Sequence, residues 1–357
     1  MQRIALYSVL ILGCAAQTQP APESPPSAKN VEVAPAQVPS TAETPEIVAP
    51  PAPPPPKLVS VCGQEVPSST TKVFCNEFTS GHAAELQQLP GLEELHANLA
   101  DGHIPSEVSK LSSLRRLTVF GRDLSDIDVL SKLGDLEELD LSRTGVSALG
   151  PLASLRKLKV LNLEGTKVRS ADELSGLVAL QTLNLGGTKI RSIEGLTALS
   201  GLRDLTLAGT KVRDISALSS LRALRKLDLN SLLSLVRIKP LENLSNLEEL
   251  NMIDVPIMNM RALGNLKTLR RLLVNASKVP DLMPLRGLTG LEYLHIRMRN
   301  RNNPDETISA PFRKLVRLKE LSLMGGANTV VDLRDLKELR ELEHLTVYFA
   351  RCPSHGW

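Results

Sequence analysis

The sequence predicts an α/β solenoid, a stack of short coils with parallel strands on one face and tight turns or 3₁₀ segments on the other. Three observations predict it. The pattern LxxLxL recurs in fixed phase from Leu92 through Leu114, Leu136, Leu158, Leu180, Leu202 and Leu224, each start 22 residues after the last. Hydrophobic residues make up 42% of the chain but aromatics only 3%, so leucine must fill most of the core. Central copies also agree between the leucines, as in Leu161-Asn162-Leu163-Glu164-Gly165-Thr166-Lys167-Val168 and Leu183-Asn184-Leu185-Gly186-Gly187-Thr188-Lys189-Ile190. A core built from one side-chain type suits an architecture in which every layer has the same space to fill.

The phase continues at Leu247, Leu269 and Leu291 after one extra residue, then at Leu318 and Leu342 after longer spacings of 27 and 24 residues. Twelve starts in register cannot arise by chance. Within each copy the LxL core alternates with period two, which predicts a strand with leucines such as Leu139 and Leu141 pointing inward. The other apolar positions, Val146, Leu149, Leu152 and Leu155 in that copy, return the chain beneath the preceding coil. No copy can bury these groups alone, so the coils must stack.

These residues resemble the leucine-rich-repeat family, and the 22-residue length is similar to its internalin-like class. The resemblance covers residues 92–350. It implies a right-handed horseshoe or arc with a parallel concave sheet and short 3₁₀ or turn segments on the convex side. It also implies a binding protein rather than an enzyme. The family usually places Asn nine positions into the repeat, bonded to neighbouring backbone. Here Thr144, Thr166, Thr188 and Thr210 stand there, followed by Leu232, Val255 and Ser277. A hydroxyl donates and accepts once each, so a ladder is plausible only over 144–210. We read these threonines as turn-formers.

The ends need closing. Counting back 22 from Leu92 gives Thr70-x-x-Val73-x-Cys75 in strand phase, so residues 58–91 read as an N-terminal cap. Cys62 and Cys75 lie within it. A disulfide between them would close a loop of about a dozen residues and contribute roughly 3 kcal/mol; two buried thiols are the alternative. Residues 351–357 read as a tail, leaving Cys352 as a buried thiol or as a handle for an intermolecular disulfide on an otherwise monomeric chain.

Ahead of the cap, one positive charge at Arg3, an apolar run from Ile4 to Leu12 and small Gly13 lay out a secretory signal over residues 1–13. The run is too short to span a bilayer. Ile11-Leu12-Gly13-Cys14 resembles the lipobox of bacterial lipoproteins. That resemblance implies acylation of Cys14, a membrane partner through the lipid and, with Ala15 next, outer-membrane sorting in a Gram-negative cell. An ordinary cleaved leader with an incidental cysteine shares the layout. Residues 20–57 hold 13 of the 24 prolines. Such composition cannot pack a core and favours polyproline II, so residues 14–57 read as a disordered tether. At about 3.1 Å per residue it reaches on the order of 100 Å.

The net charge of +3 argues against nucleic acid, since Lys/Arg and Asp/Glu alternate along the chain. No CxxC, nucleophile elbow, Walker loop, HExxH or GxGxxG is present, so neither cofactor nor metal is expected. His96, His295 and His344 fall at concave positions in repeats too far apart for one metal site. Paired carboxylates such as Glu138 and Asp140 are common on solvated strands.

Outward strand positions are polar and mostly acidic in the early and middle copies: Glu138, Asp140, Asn162, Glu164, Asn184, Asp204, Thr206, Asp228 and Asn230. Late copies place Arg271, Asn275, Tyr293, His295, Arg297, Met324, His344, Thr346 and Tyr348 there, and Phe120 falls on the same face. Aromatics and arginines on a preorganised surface are what protein interfaces favour. An insertion, Met298-Arg299-Asn300-Arg301-Asn302-Asn303, lengthens the adjoining loop. The expected contact residues are therefore Tyr293, His295, Arg297, Arg299, Arg301, Arg271, Asn275, Tyr348 and Phe120, facing a protein ligand. A glycan-binding structural role and a regulatory scaffold for an enzyme are the competing readings.

Overall fold

The computed structural model describes residues 8–11, 57–279, 281–298, 307–308, 312–325, 330–331 and 334–349. Cys14, most of the proline-rich segment, Arg299, Arg301 and Cys352 lie outside the described residues.

The chain opens on β1 (Ser8–Ile11), then a hairpin of β2 (Leu58–Val61) and β3 (Gln64–Pro67), followed by β4 (Lys72–Phe78) and helix α1 (Ser80–Glu85). One strand per coil follows: β5 (Glu94–Leu99), β6 (Arg116–Phe120), β7 (Glu138–Asp140), β8 (Val160–Asn162) and β9 (Thr182–Asn184). The series continues with β10 (Asp204–Thr206), β11 (Lys226–Asp228), β12 (Glu249–Met252), β13 (Arg271–Asn275) and β14 (Tyr293–Arg297). β16 (Glu320–Gly325) and β18 (His344–Phe349) complete it, while β15 (Thr307–Ile308) and β17 (Val330–Val331) pair with each other outside the main sheet.

Among the described residues, thirteen strands from β4 to β18 form one parallel sheet in chain order, and β1 pairs beside β18 at the far edge. The register is that of the repeat: Leu139, Leu161, Leu183, Leu205 and Leu227 stack in successive strands, each 0–2% exposed. Burying each such side chain contributes roughly 1.5–3 kcal/mol.

The return segments are 3₁₀ because their apolar residues recur every third position. Ala171, Leu174, Leu177 and Leu180 are all fully buried and are linked by successive bonds to the carbonyl three residues back, 2.9–3.1 Å long. A 3₁₀ turn eclipses i and i+3, so that spacing puts every one of these side chains on the core side. After each of the six central strands, β7 to β12, the chain turns through a left-handed residue: Arg143, Gly165, Gly187, Gly209, Ser231 and Asp254, all with φ near 60–70°. The positive φ, which L side chains rarely adopt, favours glycine at Gly165, Gly187 and Gly209 in the central coils.

The threonines do not build a ladder between coils. Thr144, Thr166, Thr188 and Thr210 are buried, and each hydroxyl donates to the leucine carbonyl three residues back in its own coil, at 2.6–2.8 Å. That bond closes the turn from inside. The ladder plausible over 144–210 is not formed, and the turn-forming role read from the sequence is the one adopted.

At the N-terminal end Cys62 and Gly63 are both left-handed, the geometry of a two-residue hairpin loop. Cys62 is disulfide-bonded to Cys75 in β4, and its N–H donates to Glu85 Oε2 at 2.9 Å, tying hairpin to helix. Val61, Phe78 and Leu86, at most 1% exposed, cover the first coil. The far end is looser: Leu345 in β18 is only partly buried, whereas its neighbour Leu321 is 1% exposed.

Candidate functional site: the concave face

Strand register sorts the outward side chains into rows that run across the sheet. One row reads Lys72, Glu94, Arg116, Glu138, then onward to Glu249, Arg271, Tyr293, Glu320 and His344. The next includes Phe74, His96 and Thr118 at one end and His295, Ser322 and Thr346 at the other. Aromatic and cationic groups therefore gather at both ends of the face, with carboxylates and amides between them.

The C-terminal cluster joins most of the expected contact residues. The Arg271 guanidinium lies 3.8 Å from the Tyr293 ring centroid, a cation–π contact between adjacent strands. Arg297 pairs with Asp254 at 2.9 Å, reaching across β13. His295 meets the Ser322 hydroxyl at 3.0 Å. Burial lowers the His295 pKa below the ordinary imidazole value and the Arg297 charge lowers it further. Arg297, Met324 and Tyr348 stand side by side in β14, β16 and β18, with Met324 and Tyr348 each more than a third exposed.

Two of the expected contact residues are placed differently. Phe120 does not join this cluster. It lies in β6, eight strands from β14 and so on the order of 40 Å away at about 4.8 Å per strand. Asn275 belongs to the row but turns inward on its own chain: its Oδ1 accepts from the Ser277 N–H at 2.9 Å. The same local bond is made by Asp140, Asn162, Asn184, Asp228 and Asn251, each accepting from the N–H two residues on. These Asx turns end the strands, so much of the polar middle of the face serves the fold.

The second cluster, at the N-terminal end, was not singled out in the sequence. Phe74 is 53% exposed and stacks on His96 with centroids 4.3 Å apart, and Lys72 Nζ lies 4.9 Å from the same phenyl ring. Beneath them Glu94 is a hub: its Oε1 takes Lys72 at 2.5 Å and His96 at 2.7 Å, and its Oε2 takes Arg116 at 2.9 Å. A groove of about 340 Å³ opens beside this hub, lined by Glu94, His96, Arg116, Thr118, Glu138 and Asp140 among others. The strand phase of Val73 and Cys75 already placed Phe74 outward, which is the signal that could have found it.

Hydrogen bonds from Lys72 and then His96 hold the Glu94 carboxyl down at about 2 from its ordinary 4.5, and Arg116 adds to the effect. Its folded-state pKa is depressed, so the stability it contributes is present above about 4.5 and is lost as pH falls toward 2. Glu94→Gln should therefore cost about 1 kcal/mol at pH 7, the upper end of what ion pairs open to solvent contribute. In urea unfolding the variant and parent curves should converge near pH 2; a gap that persists there would assign the loss to packing. Chemically, the Glu94 carboxylate already has the Lys72 ammonium, the Arg116 guanidinium and the His96 ring nitrogen within hydrogen-bond reach.

Residues 156–198 match the family model described as Leucine Rich repeats (2 copies). No curated protein matches the chain. Among solved structures, it is similar to an internalin (InlF) from Listeria monocytogenes, with TM-score 0.62 at 22% identity over 79% of this chain and 89% of that one. It is also similar to a leucine-rich-repeat protein of Leptospira interrogans, with TM-score 0.58 at 19% identity over 74% of each chain. The plant peptide hormone receptor RGFR1, solved in complex with RGF2, matches with TM-score 0.51 at 16% identity over 72% of this chain and 48% of that one. These identities speak for the fold alone, and with the thirteen-strand parallel sheet they assign it: the chain folds as a leucine-rich-repeat solenoid similar to the internalin-type structures.

Proposed function

We propose that the chain is an envelope-anchored protein that binds a protein partner through the C-terminal part of its concave face. Leucine-rich-repeat solenoids generally serve protein–protein interaction. The observation that carries the reading is the cluster of Arg271, Tyr293, Arg297, Met324 and Tyr348 on adjacent rigid strands. Arg and Tyr are the side chains that dominate interface energetics, and here their rotamers are held by the Arg271–Tyr293 stack and the Arg297–Asp254 pair before any partner arrives. The receptor RGFR1, similar in fold, is a receptor for a peptide hormone. Acylation at Cys14 and the proline-rich tether supply the anchor in this reading, an outer-membrane lipoprotein whose solenoid stands off the bilayer.

A photo-crosslinking residue placed at Tyr348 in intact cells should yield a discrete protein adduct, and one placed at convex Glu194 should not. Changing Tyr293, Arg297 and Arg299 together to Ala should lower that adduct at least tenfold. An adduct unchanged by the triple substitution would sink the assignment of the surface. A carbohydrate adduct in place of a protein would favour the glycan-binding reading.

A further inference from the structure

The flank where the chain leaves the sheet carries a second surface. In three consecutive coils the exit turns read Thr166-Lys167-Val168-Arg169, Thr188-Lys189-Ile190-Arg191 and Thr210-Lys211-Val212-Arg213. The apolar residue of each turn is buried, so the Lys and Arg on either side of it both point outward, and all six are exposed. Backbone bonds hold the turns in register: Lys167 N–H to Val146 O, Lys189 N–H to Val168 O and Lys211 N–H to Ile190 O, at 2.8–3.0 Å. The result is a two-by-three lattice of cations with about 4.8 Å between coils. None of the six makes a salt bridge or side-chain hydrogen bond among the described residues.

The next two coils change character at the same edge. Leu233 is 72% exposed, Val236 46% and Met258 52%, in the turns that follow the basic ones in the stack. At the junction a groove of about 510 Å³ is lined by Arg213, Arg237, Lys239, Ser216 and Ser234, with Val236 beside them. Asp214 is the acid in this groove, and it accepts the N–H and hydroxyl of Ser216. On the other side of the lattice the flank is uncharged, at Gly145 and Ser147.

We propose that this flank docks on an anionic lipid surface, with the six cations over headgroup phosphates and Leu233, Val236 and Met258 at the acyl boundary. Unpaired cations beside exposed aliphatic side chains match the two layers of a membrane interface. A polysaccharide would leave the aliphatic coils uncovered. Single-stranded nucleic acid needs aromatic platforms, and the described flank has none. Docking by this edge leaves the concave face free, and the inference stands whether or not Cys14 is acylated.

The test uses the full chain carrying Cys14→Ser, so that acyl chains contribute nothing. It is co-sedimented with vesicles of phosphatidylcholine alone, which measure background from the apolar leader, or containing 30 mol% phosphatidylglycerol as the probe. Anionic vesicles should bind at least tenfold more tightly than neutral ones at about 0.1 M salt, where charges are screened beyond roughly 10 Å. Changing Lys167, Arg169, Lys189, Arg191, Lys211 and Arg213 together to Gln should return binding to the neutral-vesicle level. These positions are exposed, and an unchanged urea midpoint would show the variant folded. Leu233→Ser with Met258→Ser should keep charge-dependent binding but lose it at lower salt. Equal binding by the six-Gln variant would overturn the proposal. So would binding of the parent chain to soluble polygalacturonate or single-stranded DNA with none to anionic vesicles.

Discussion

Leu185→Ala is expected to destabilise the array by about 3 kcal/mol, whereas Leu342→Ala should shift the global urea midpoint far less. Leu185 is fully buried in the middle of the stack, with a coil on either side that cannot collapse into the void. Large-to-small changes at such sites cost about 2–5 kcal/mol, the transfer term plus the cavity term. Leu342 is also buried, at 4% exposed, but it lies in the last coil, beside the partly buried Leu345. In a solenoid each coil contacts only its neighbours, so a lesion at the end frays one coil while a lesion in the middle divides the stack. Equal shifts from the two substitutions would mean that the coils unfold as one indivisible unit.

The second large effect concerns the cap. Cys62→Ser with Cys75→Ser should cost about 3 kcal/mol, because the bridge closes a loop with a sequence separation of 13 residues and removes that loop's freedom from the unfolded chain. Loss of the bridge also frees the hairpin that brings Val59 and Val61 over the first coil, exposing the edge of β4. Limited proteolysis should then cut first within residues 58–91. Reductant should reproduce the effect in the parent chain and do nothing further to the variant. Identical urea midpoints of the parent with and without reductant would refute a stabilising role for the bridge.

Much of the fold was legible because period is geometry. A two-residue alternation at Leu139 and Leu141 can only be a strand with both leucines on one side. Apolar residues at every third position, as from Ala171 to Leu180, eclipse only in a 3₁₀ turn. The same phase located the cap strand through Val73 and Cys75. It would have placed Phe74 beside His96 had the outward positions of the cap been read with those of the repeats.

The site was less legible for two physical reasons. Outward polar residues look alike in sequence whether they face a ligand or their own backbone, and Asn275 illustrates this: its amide oxygen closes a turn. Lateral neighbours are also about 22 residues apart, so clustering depends on strand order as much as on strand phase. Phe120 and Tyr293 share a face but stand eight strands apart.

Charge followed the same logic. Lys/Arg and Asp/Glu alternate along the chain, which argues against a basic face when the sequence is read linearly. Stacking sums one position over many coils, so Lys167, Lys189 and Lys211 add up while most acids of those coils go elsewhere, Asp214 beside Arg213 being the exception. Asp204 and Glu164 face the concave side; Asp172 and Glu194 begin the convex 3₁₀ turns.

The sequence by itself determined the coil: its length, its inward leucines, its turn-forming threonines and the direction each side chain leaves the backbone. All of these follow from period and local stereochemistry. The tertiary structure alone decided which outward groups meet: Arg271 on Tyr293, Glu94 among Lys72, His96 and Arg116, six unpaired cations on one flank. Such meetings depend on coil-to-coil register, which brings residues 22 positions apart to within about 5 Å and which no single repeat contains.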